Sequence, residues 1–210
     1  MTALLTGLAI LLVGWFALGT IWNVRKGGAL MRWLQTGLPA VGERTTVRWL
    51  GSTAVEMVIR EAKAPFEKIT LVIFLEPRDM PWMWVFSRRT GRRDTLILRG
   101  ELRRPPAIDL EAIDLASWSG KDASHALSSG DLSLREPSRP GALAVYGSEA
   151  ALGRADPLIE LAGKGGCAVR RLSVRRTAPH LQLHVDAPGE GASARALFDS
   201  FSALAERARH

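Results

Sequence analysis

The feature that most constrains this chain is an uncharged, mainly apolar stretch from Thr2 to Val24. An α-helix of that length rises about 34 Å, enough to cross a hydrocarbon core of about 30 Å. Trp22 and Asn23 close the stretch, where an amphipathic ring would lie among lipid headgroups. The sequence therefore predicts a transmembrane anchor over residues 1–24.

Basic residues follow this stretch, and no charged side chain precedes it. Arg25, Lys26 and Arg32 are the first cations. A cleaved signal peptide has the opposite order, with basic residues before a shorter apolar core. By the positive-inside rule we expect the N-terminus outside and the domain in the cytoplasm, at the plasma membrane of a prokaryote or the endoplasmic reticulum of a eukaryote. A cleaved signal and a buried core helix are the alternatives.

Small residues recur along the predicted anchor at Ala3, Gly7 and Gly14. Small residues on one face of a membrane helix let a second helix approach closely. These three positions therefore indicate a possible helix partner, with a chance spacing as the alternative.

The rest of the chain is long enough for one compact domain. We expect a juxtamembrane segment over residues 25–44 and a cytoplasmic α+β domain over residues 45–210. Leu30, Trp33 and Leu34 have helical spacing, which predicts a short amphipathic helix over residues 29–36 at the interface. The single cysteine, Cys167, excludes an intramolecular disulfide and fits a reducing compartment.

The net charge of +7 is concentrated near the predicted anchor. Residues 25–104 contain 16 Lys or Arg against 8 Asp or Glu, whereas residues 105–210 contain 12 against 13. A basic surface near a bilayer gains about 1 kcal/mol per cation from anionic lipid. Ribosomal RNA would attract the same surface, and a generic solubilising surface is the alternative. No DNA partner is expected.

The remaining pattern predicts an α+β fold with a mixed, mainly antiparallel sheet covered by helices. The predicted strands are 45–50, 54–61, 68–76, 94–103, 108–115, 132–135, 142–146, 167–175 and 181–185. The predicted helices are 80–89, with Asp79 as its cap, 148–162, with a kink or a restart at a second cap at Asp156 and Pro157, and 192–208. Residues 117–130, rich in Ser and Gly, predict a flexible loop.

No pattern of metal ligands or phosphate-binding residues is convincing. His180 and His184 are four residues apart, but on a strand this places them about 13 Å from each other, too far to share an ion. The glycine-rich residues 163–166 leave a helix and enter a strand, the reverse of a phosphate-binding loop, so they are interpreted as a helix-ending turn. We expect no metal and no cofactor.

No set of catalytic residues can be nominated either. Asp109, Glu111 and Asp114 alternate with apolar residues, which favours a solvated strand face over a catalytic carboxylate pair. Ser148 lacks the glycines of a nucleophile elbow and is interpreted as a helix cap, while Cys167 is interpreted as a small buried residue. The expectation is a protein that is not an enzyme, although sites also assemble without motifs.

The most informative local feature is the apolar run from Pro81 to Phe86. Trp82, Val85 and Phe86 would share one helical face, but five consecutive apolar residues cannot all face a core. Arg88, Arg89, Arg92 and Arg93 follow the run. Aromatic rings backed by arginines are typical of interfacial membrane binding. The alternative is that the rings cap the sheet and the arginines are solvated.

The order of these elements resembles the calumin family, coiled-coil membrane proteins of the endoplasmic reticulum in the PAT subcomplex of the multipass translocon. The resemblance covers most of residues 2–210: a span, a basic juxtamembrane stretch, a strand, an apolar helix rich in basic residues, and a strand. It continues through Ala144-Val145-Tyr146-Gly147, Ser148-Glu149-Ala150-Ala151-Leu152 and Leu183-His184-Val185-Asp186-Ala187-Pro188-Gly189 to a closing helix. The family's long basic tail and the acidic segment before its span have no counterpart here, which argues against ribosome contact through such a tail.

The sequence therefore predicts a membrane-anchored cytoplasmic interaction domain. The resemblance implies assistance to membrane-protein insertion or assembly at the translocon, with translocon or ribosome components as partners. A membrane-tethered enzyme or small-ligand-binding domain is the alternative. The predicted membrane-facing or partner-facing residues are Trp22, Arg25, Lys26, Arg32, Trp33, Trp82, Trp84, Arg88, Arg89, Arg92 and Arg93.

Overall fold

One antiparallel sheet organises the domain. The computed structural model describes residues 2–117, 120, 123–124, 133–139 and 141–209. Its strands within these residues are β1 (Thr45–Trp49), β2 (Ala54–Ile59), β3 (Phe66–Phe74), β4 (Thr95–Leu102), β5 (Leu110–Ile113), β6 (Ser133–Arg135), β7 (Ala144–Gly147), β8 (Val169–Val174) and β9 (Leu181–Asp186). They lie in the order β1-β2-β3-β4-β9-β8-β5-β7-β6. The predicted α+β class, with a mainly antiparallel sheet and helices, is confirmed.

Helices lie before, between and after the strands. They are α1 (Thr2–Gly37), followed by a 3-10 turn (Leu38–Ala40), then α2 (Pro81–Arg89), α3 (Glu149–Leu152), α4 (Ala155–Gly163) and α5 (Ala194–Arg209). The predicted helix 148–162 is therefore two helices. Ser148 accepts a hydrogen bond from the Ala151 amide and caps the first, as predicted. The predicted loop at 117–130 falls mainly outside the described residues.

The core lies on one face of the sheet. Alternation along β4 directs Leu96, Leu98 and Leu102 to this face, and all three are buried. The apolar stripe of α5 covers it, and the rings of Phe66 and Phe201 stack with their centroids 5.1 Å apart. Each such side chain contributes about 1.5–3 kcal/mol by leaving water.

The C-terminal half of α1 belongs to this core. Residues 29–36 are a continuation of α1, and not the separate interfacial helix that the sequence suggested. Leu30 and Leu34 are buried against the domain, and the indole of Trp33 donates a hydrogen bond to the carbonyl of Ala192, 3.0 Å away. The apolar side chains that would have favoured lipid are instead used to join the helix to α5.

Glu111 and Asp114 are buried, so the predicted solvated face was wrong for these two carboxylates, whereas Asp109 keeps 43% of its side chain exposed. Glu111 is buried and accepts hydrogen bonds from Arg171, Ser173 and Arg175. Burial alone would raise the pKa of Glu111, but these donors hold it below its usual range. β5 is an interior strand between β7 and β8, and arginines from β8 and the residue after it reach over its outer face.

Candidate functional site

Helix α1 changes character along its length. Every residue from 2 to 18 is exposed, and Gly19 is the first buried one. Helix α1 is long and apolar enough to span a membrane, and it is the one such helix among the described residues. The junction between its exposed and buried parts is where the domain first meets the apolar stretch.

Two glycines allow the domain to approach α1 closely at this junction. A Cβ at Gly19 would overlap the carbonyl oxygen of Arg78, in the loop between β3 and α2. A Cβ at Gly27 would lie 2.7 Å from the indole of Trp49. Because neither glycine carries a side chain, backbone and an aromatic ring can lie directly on the helix.

A buried ionic network joins α1 to the ends of β3 and β4. The guanidinium of Arg78 donates to both carboxylate oxygens of Asp94, at 3.0 and 2.9 Å, and to Oδ1 of Asn23 at 3.2 Å. Lys26 forms a salt bridge with the same carboxylate. Burial would raise the pKa of Asp94, but hydrogen bonds from Arg78, Lys26 and the Glu76 amide hold it below its usual range. A charged network therefore lies directly beneath the apolar stretch.

Helix α2 is attached to this network through Trp84. The indole of Trp84 donates to Glu76 at 2.7 Å, and the Arg88 guanidinium lies 5.4 Å from the centroid of the Trp84 ring. The rings of Trp15 and Trp84 lie 6.4 Å apart, and the Trp15 indole donates to the Arg78 carbonyl at 3.0 Å. Asp79 accepts from Ser52 and does not cap α2, whose N-cap is Met80. Thus α2 lies beside the apolar part of α1.

The outer face of α2 is exposed, contrary to one of the two interpretations of the sequence. Trp82 and Phe86 are 63% and 68% exposed, and Met83 and Val85 are also on the surface. The face that helical spacing assigned to a core therefore points away from the domain. Trp84 is half-buried and contacts the network instead.

Between α1 and α2 there is a groove of about 720 Å³. We call it the α1–α2 groove, and its walls are formed by Trp15, Leu18, Gly19, Ile21, Trp22, Arg25, Lys26, Arg78 and Trp84. Its lining is mainly apolar, with cations at one end. Arg25 is exposed and has no hydrogen-bond or ion-pair partner among the described residues.

The structure brings together some of the predicted surface residues and separates others. Trp22, Arg25, Lys26 and Trp84 line one groove. Arg88, Arg89 and Arg93 are exposed at and after the end of α2, and Arg92 is half-buried. Arg32 is exposed two turns beyond Arg25, and Trp33 packs on the domain. Ala3, Gly7 and Gly14 are exposed, with open space beside both glycines.

Sequence reasoning missed the residues that assemble the groove from the domain side. Arg78, Glu76 and Asp94 carry no motif, and their contacts with α1 join residues more than fifty positions apart. The one local signal in the sequence was Asn23, a polar residue within an apolar stretch. In the structure Asn23 is fully buried, and its Oδ1 accepts a hydrogen bond from the Arg78 guanidinium.

A second, smaller cavity of about 100 Å³ lies on the other face of the sheet, beside His184. His184 is buried, and neither of its ring nitrogens has a hydrogen-bond partner in the part of the chain that the structure describes. Burial together with the nearby Arg171 and Arg99 lowers its pKa to about 3. The Nδ1 atom of His180 instead accepts from the Leu102 amide at 2.9 Å. Within the described residues no three potential metal ligands are grouped together.

The fold and groove define an α+β domain carried on a helix of membrane-spanning length. No protein-family model matches the chain, and no curated protein matches it.

Proposed function

We propose that this chain is a membrane-anchored interaction domain, in which α1 crosses the bilayer and α2 lies within the adjoining membrane interface. One observation carries the proposal: α2 contacts α1 at Trp15, inside the uncharged stretch. Trp15 precedes Arg25, the first cation, by ten residues, or about 15 Å along the helix. A bilayer that encloses this stretch therefore also reaches α2.

The surface of α2 suits that position. Its exposed rings and aliphatic side chains face outward, and its last turn carries Arg88 and Arg89. Interfacial helices have this arrangement, with apolar side chains among the acyl chains and guanidinium groups near lipid phosphates. The basic flank after Val24 supports a cytoplasmic orientation for the domain.

A lipid-soluble photoreactive probe tests this placement. The full chain would be reconstituted in vesicles, labelled, digested, and analysed by mass spectrometry. We expect label on α1 and on the peptide containing Trp82 and Phe86, and little on the peptide containing Leu134. Leu134 is the comparison because it is also a large apolar side chain on the surface, 47% exposed. Equal labelling of the α2 and Leu134 peptides would exclude an interfacial position for α2.

The resemblance to the calumin family extends the proposal to a role in membrane-protein insertion or assembly. This part is supported by the order of elements and by the basic membrane-proximal half, residues 25–104. Tagged full-length protein purified from native membranes should recover translocon or ribosomal components. Recovery of neither would remove this role and leave the placement of α2 untouched.

A further inference from the structure

We infer that the α1–α2 groove is a binding site for one phospholipid of net negative charge. The inference rests on the proposed function, because it requires the groove to lie at the membrane interface. It adds a single bound lipid to what would otherwise be only general contact with the bilayer surface.

The shape and lining of the groove fit an acyl chain. Its volume of about 720 Å³ is open along α1, next to the part of the helix that projects from the domain. Leu18, Ile21 and Trp22 of α1 line it, together with the rings of Trp15 and Trp84, whose centroids lie 6.4 Å apart. An acyl chain in this groove would cover apolar surface of both helices and would leave toward the hydrocarbon core without crossing a polar region.

The charges at the other end of the groove fit a phosphate group. Arg78 is held in place by Asp94 and Asn23, which accept hydrogen bonds from both terminal nitrogens of its guanidinium. Lys26 pairs with the same carboxylate but keeps 38% of its side chain exposed. Arg25 is exposed beside it without a partner among the described residues. Arg25 and Lys26 thus present donors to a phosphate, for which guanidinium and ammonium groups are suited.

The charge balance favours an anionic lipid over a zwitterionic one. The carboxylates in this region, Glu76, Asp79 and Asp94, are buried beneath the groove and already engaged by Trp84, Ser52, Arg78 and Lys26. A choline headgroup would bring its own cation toward Arg25 and Lys26 and find no open carboxylate on the groove's lining. Phosphatidylglycerol carries the phosphate without that cation.

The experiment is lipid retention by the full chain, measured by native mass spectrometry after purification in mild detergent from vesicles of phosphatidylglycerol and phosphatidylcholine. We expect one phosphatidylglycerol per chain. Arg25→Ala should weaken retention about tenfold, the effect of losing one charge-assisted hydrogen-bonding pair. Arg32→Ala is the matched control, because Arg32 is an exposed arginine two turns further along the same helix and outside the groove; it should leave retention unchanged.

A second pair of variants tests the apolar wall. Ile21→Trp would fill the groove at an exposed position and should release the lipid, while Leu11→Trp, at an exposed position of α1 outside the groove, should not.

Equal retention of phosphatidylcholine, equal effects of Arg25→Ala and Arg32→Ala, or a co-purified protein helix in place of lipid would overturn the inference. If photolabelling places α2 in the bilayer but no lipid is retained, only this inference fails. If α2 is not labelled, the proposed function fails with it.

Discussion

Gly19 and Asp94 show how single residues determine the contact between the apolar helix and the domain. Because Gly19 has no side chain, the Arg78 carbonyl can lie on the surface of α1, and Asp94 forms ion pairs with the two cations that meet there, Lys26 and Arg78. A glycine within an apolar helix and an aspartate before a strand are both common, so neither attracts attention in the sequence. Their partners lie far away in the chain, and only the folded structure pairs them.

A larger side chain at Gly19 should destabilise the protein. In Gly19→Leu the new Cβ meets backbone of the Arg78 loop, which cannot rotate away as a side chain would. Overpacking of this kind costs about 1–3 kcal/mol. Chemical denaturation in detergent measures the loss. Gly14→Leu on the same helix has open space and should be neutral; equal stability of both variants would contradict the close approach.

Removing the charge of Asp94 should lower the free energy of unfolding at least as much as Gly19→Leu does. Asp94→Asn removes the carboxylate that pairs with both Lys26 and Arg78, and leaves Arg78, whose side chain is only 11% exposed, with Glu76 at 3.5 Å as its remaining ion-pair partner. Breaking a buried ion pair from one side costs about 3 kcal/mol. Asp109→Asn is the control, because Asp109 pairs with Arg176 at a half-exposed position and its loss should change the free energy of unfolding much less. Similar losses in both variants would argue against a buried network at α1.

His184 should make stability fall as the solution becomes acidic. Its pKa is about 3 in the folded protein, below the value of 6.5 for an unperturbed histidine. Between pH 6.5 and pH 3 the unfolded chain therefore binds a proton that the folded chain does not, so acid favours unfolding, by up to about 1.4 kcal/mol per pH unit. The lowered pKa values of Asp94 and Glu111 add to this loss below about pH 5, where the carboxylates of the unfolded chain begin to bind protons that the folded chain still excludes.

The pH dependence of unfolding between pH 6.5 and pH 5 isolates this residue. The slope should be present in the natural chain and much reduced in His184→Gln, which cannot titrate. His180→Gln is the control, because His180 is half-buried and its Nδ1 accepts a hydrogen bond from the Leu102 amide. An unchanged slope in His184→Gln would mean that His184 is not buried in its neutral form.

At the scale of elements, the sheet could be predicted well and α2 only in part. Alternating residues in β4 and β9 gave strands near the observed ones, because the period of two is set by the backbone. The strand at β3 followed instead from a run of β-branched apolar residues. The existence of α2 followed from Pro81 at its start and Gly91 after its end, where the backbone has φ of 80°. Its buried face could not be predicted, because helical spacing locates apolar residues without telling a protein core from lipid.

Two phenylalanines test whether the outer face of α2 packs against the domain. Phe86→Ala should leave the stability in detergent within about 0.5 kcal/mol, because the ring is 68% exposed and contacts no core. Phe201→Ala should cost about 3–5 kcal/mol, because its fully buried ring stacks on Phe66. Equal losses measured by denaturation would mean that α2 packs its outer face against protein.

At the scale of the whole molecule, α1 is both the proposed anchor and a part of the core. The helix continues from Thr2 to Gly37, and a Cβ at Gly37 would lie 2.6 Å from backbone of Ala194, at the start of α5. No flexible linker separates the exposed part of α1 from the domain. The sequence predicted a division of this region into an anchor over residues 1–24 and a juxtamembrane segment over residues 25–44, but the helix runs through Val24 without a break and Leu30 and Leu34 are buried against the domain.

This continuity fixes how the domain sits relative to α1. Because α2, the Asp94 network and α5 all contact the same helix, a membrane crossed by α1 meets the domain in one orientation. That orientation brings the α1–α2 groove and the basic residues at the end of α2 to the same level. Composition alone indicated a basic membrane-proximal half; the arrangement of its residues around a groove depended on the fold.

The depth of residue 86 in the bilayer is the most direct measurement of whether α2 lies in the membrane interface. A nitroxide would be attached to Phe86→Cys in a Cys167→Ala background of the full chain in vesicles, with Leu134→Cys as the aqueous control. We expect the label at residue 86 to be accessible to oxygen and shielded from a water-soluble nickel complex, and the label at residue 134 to behave in the opposite way. Equal access of nickel to both labels would contradict the placement of α2 in the membrane.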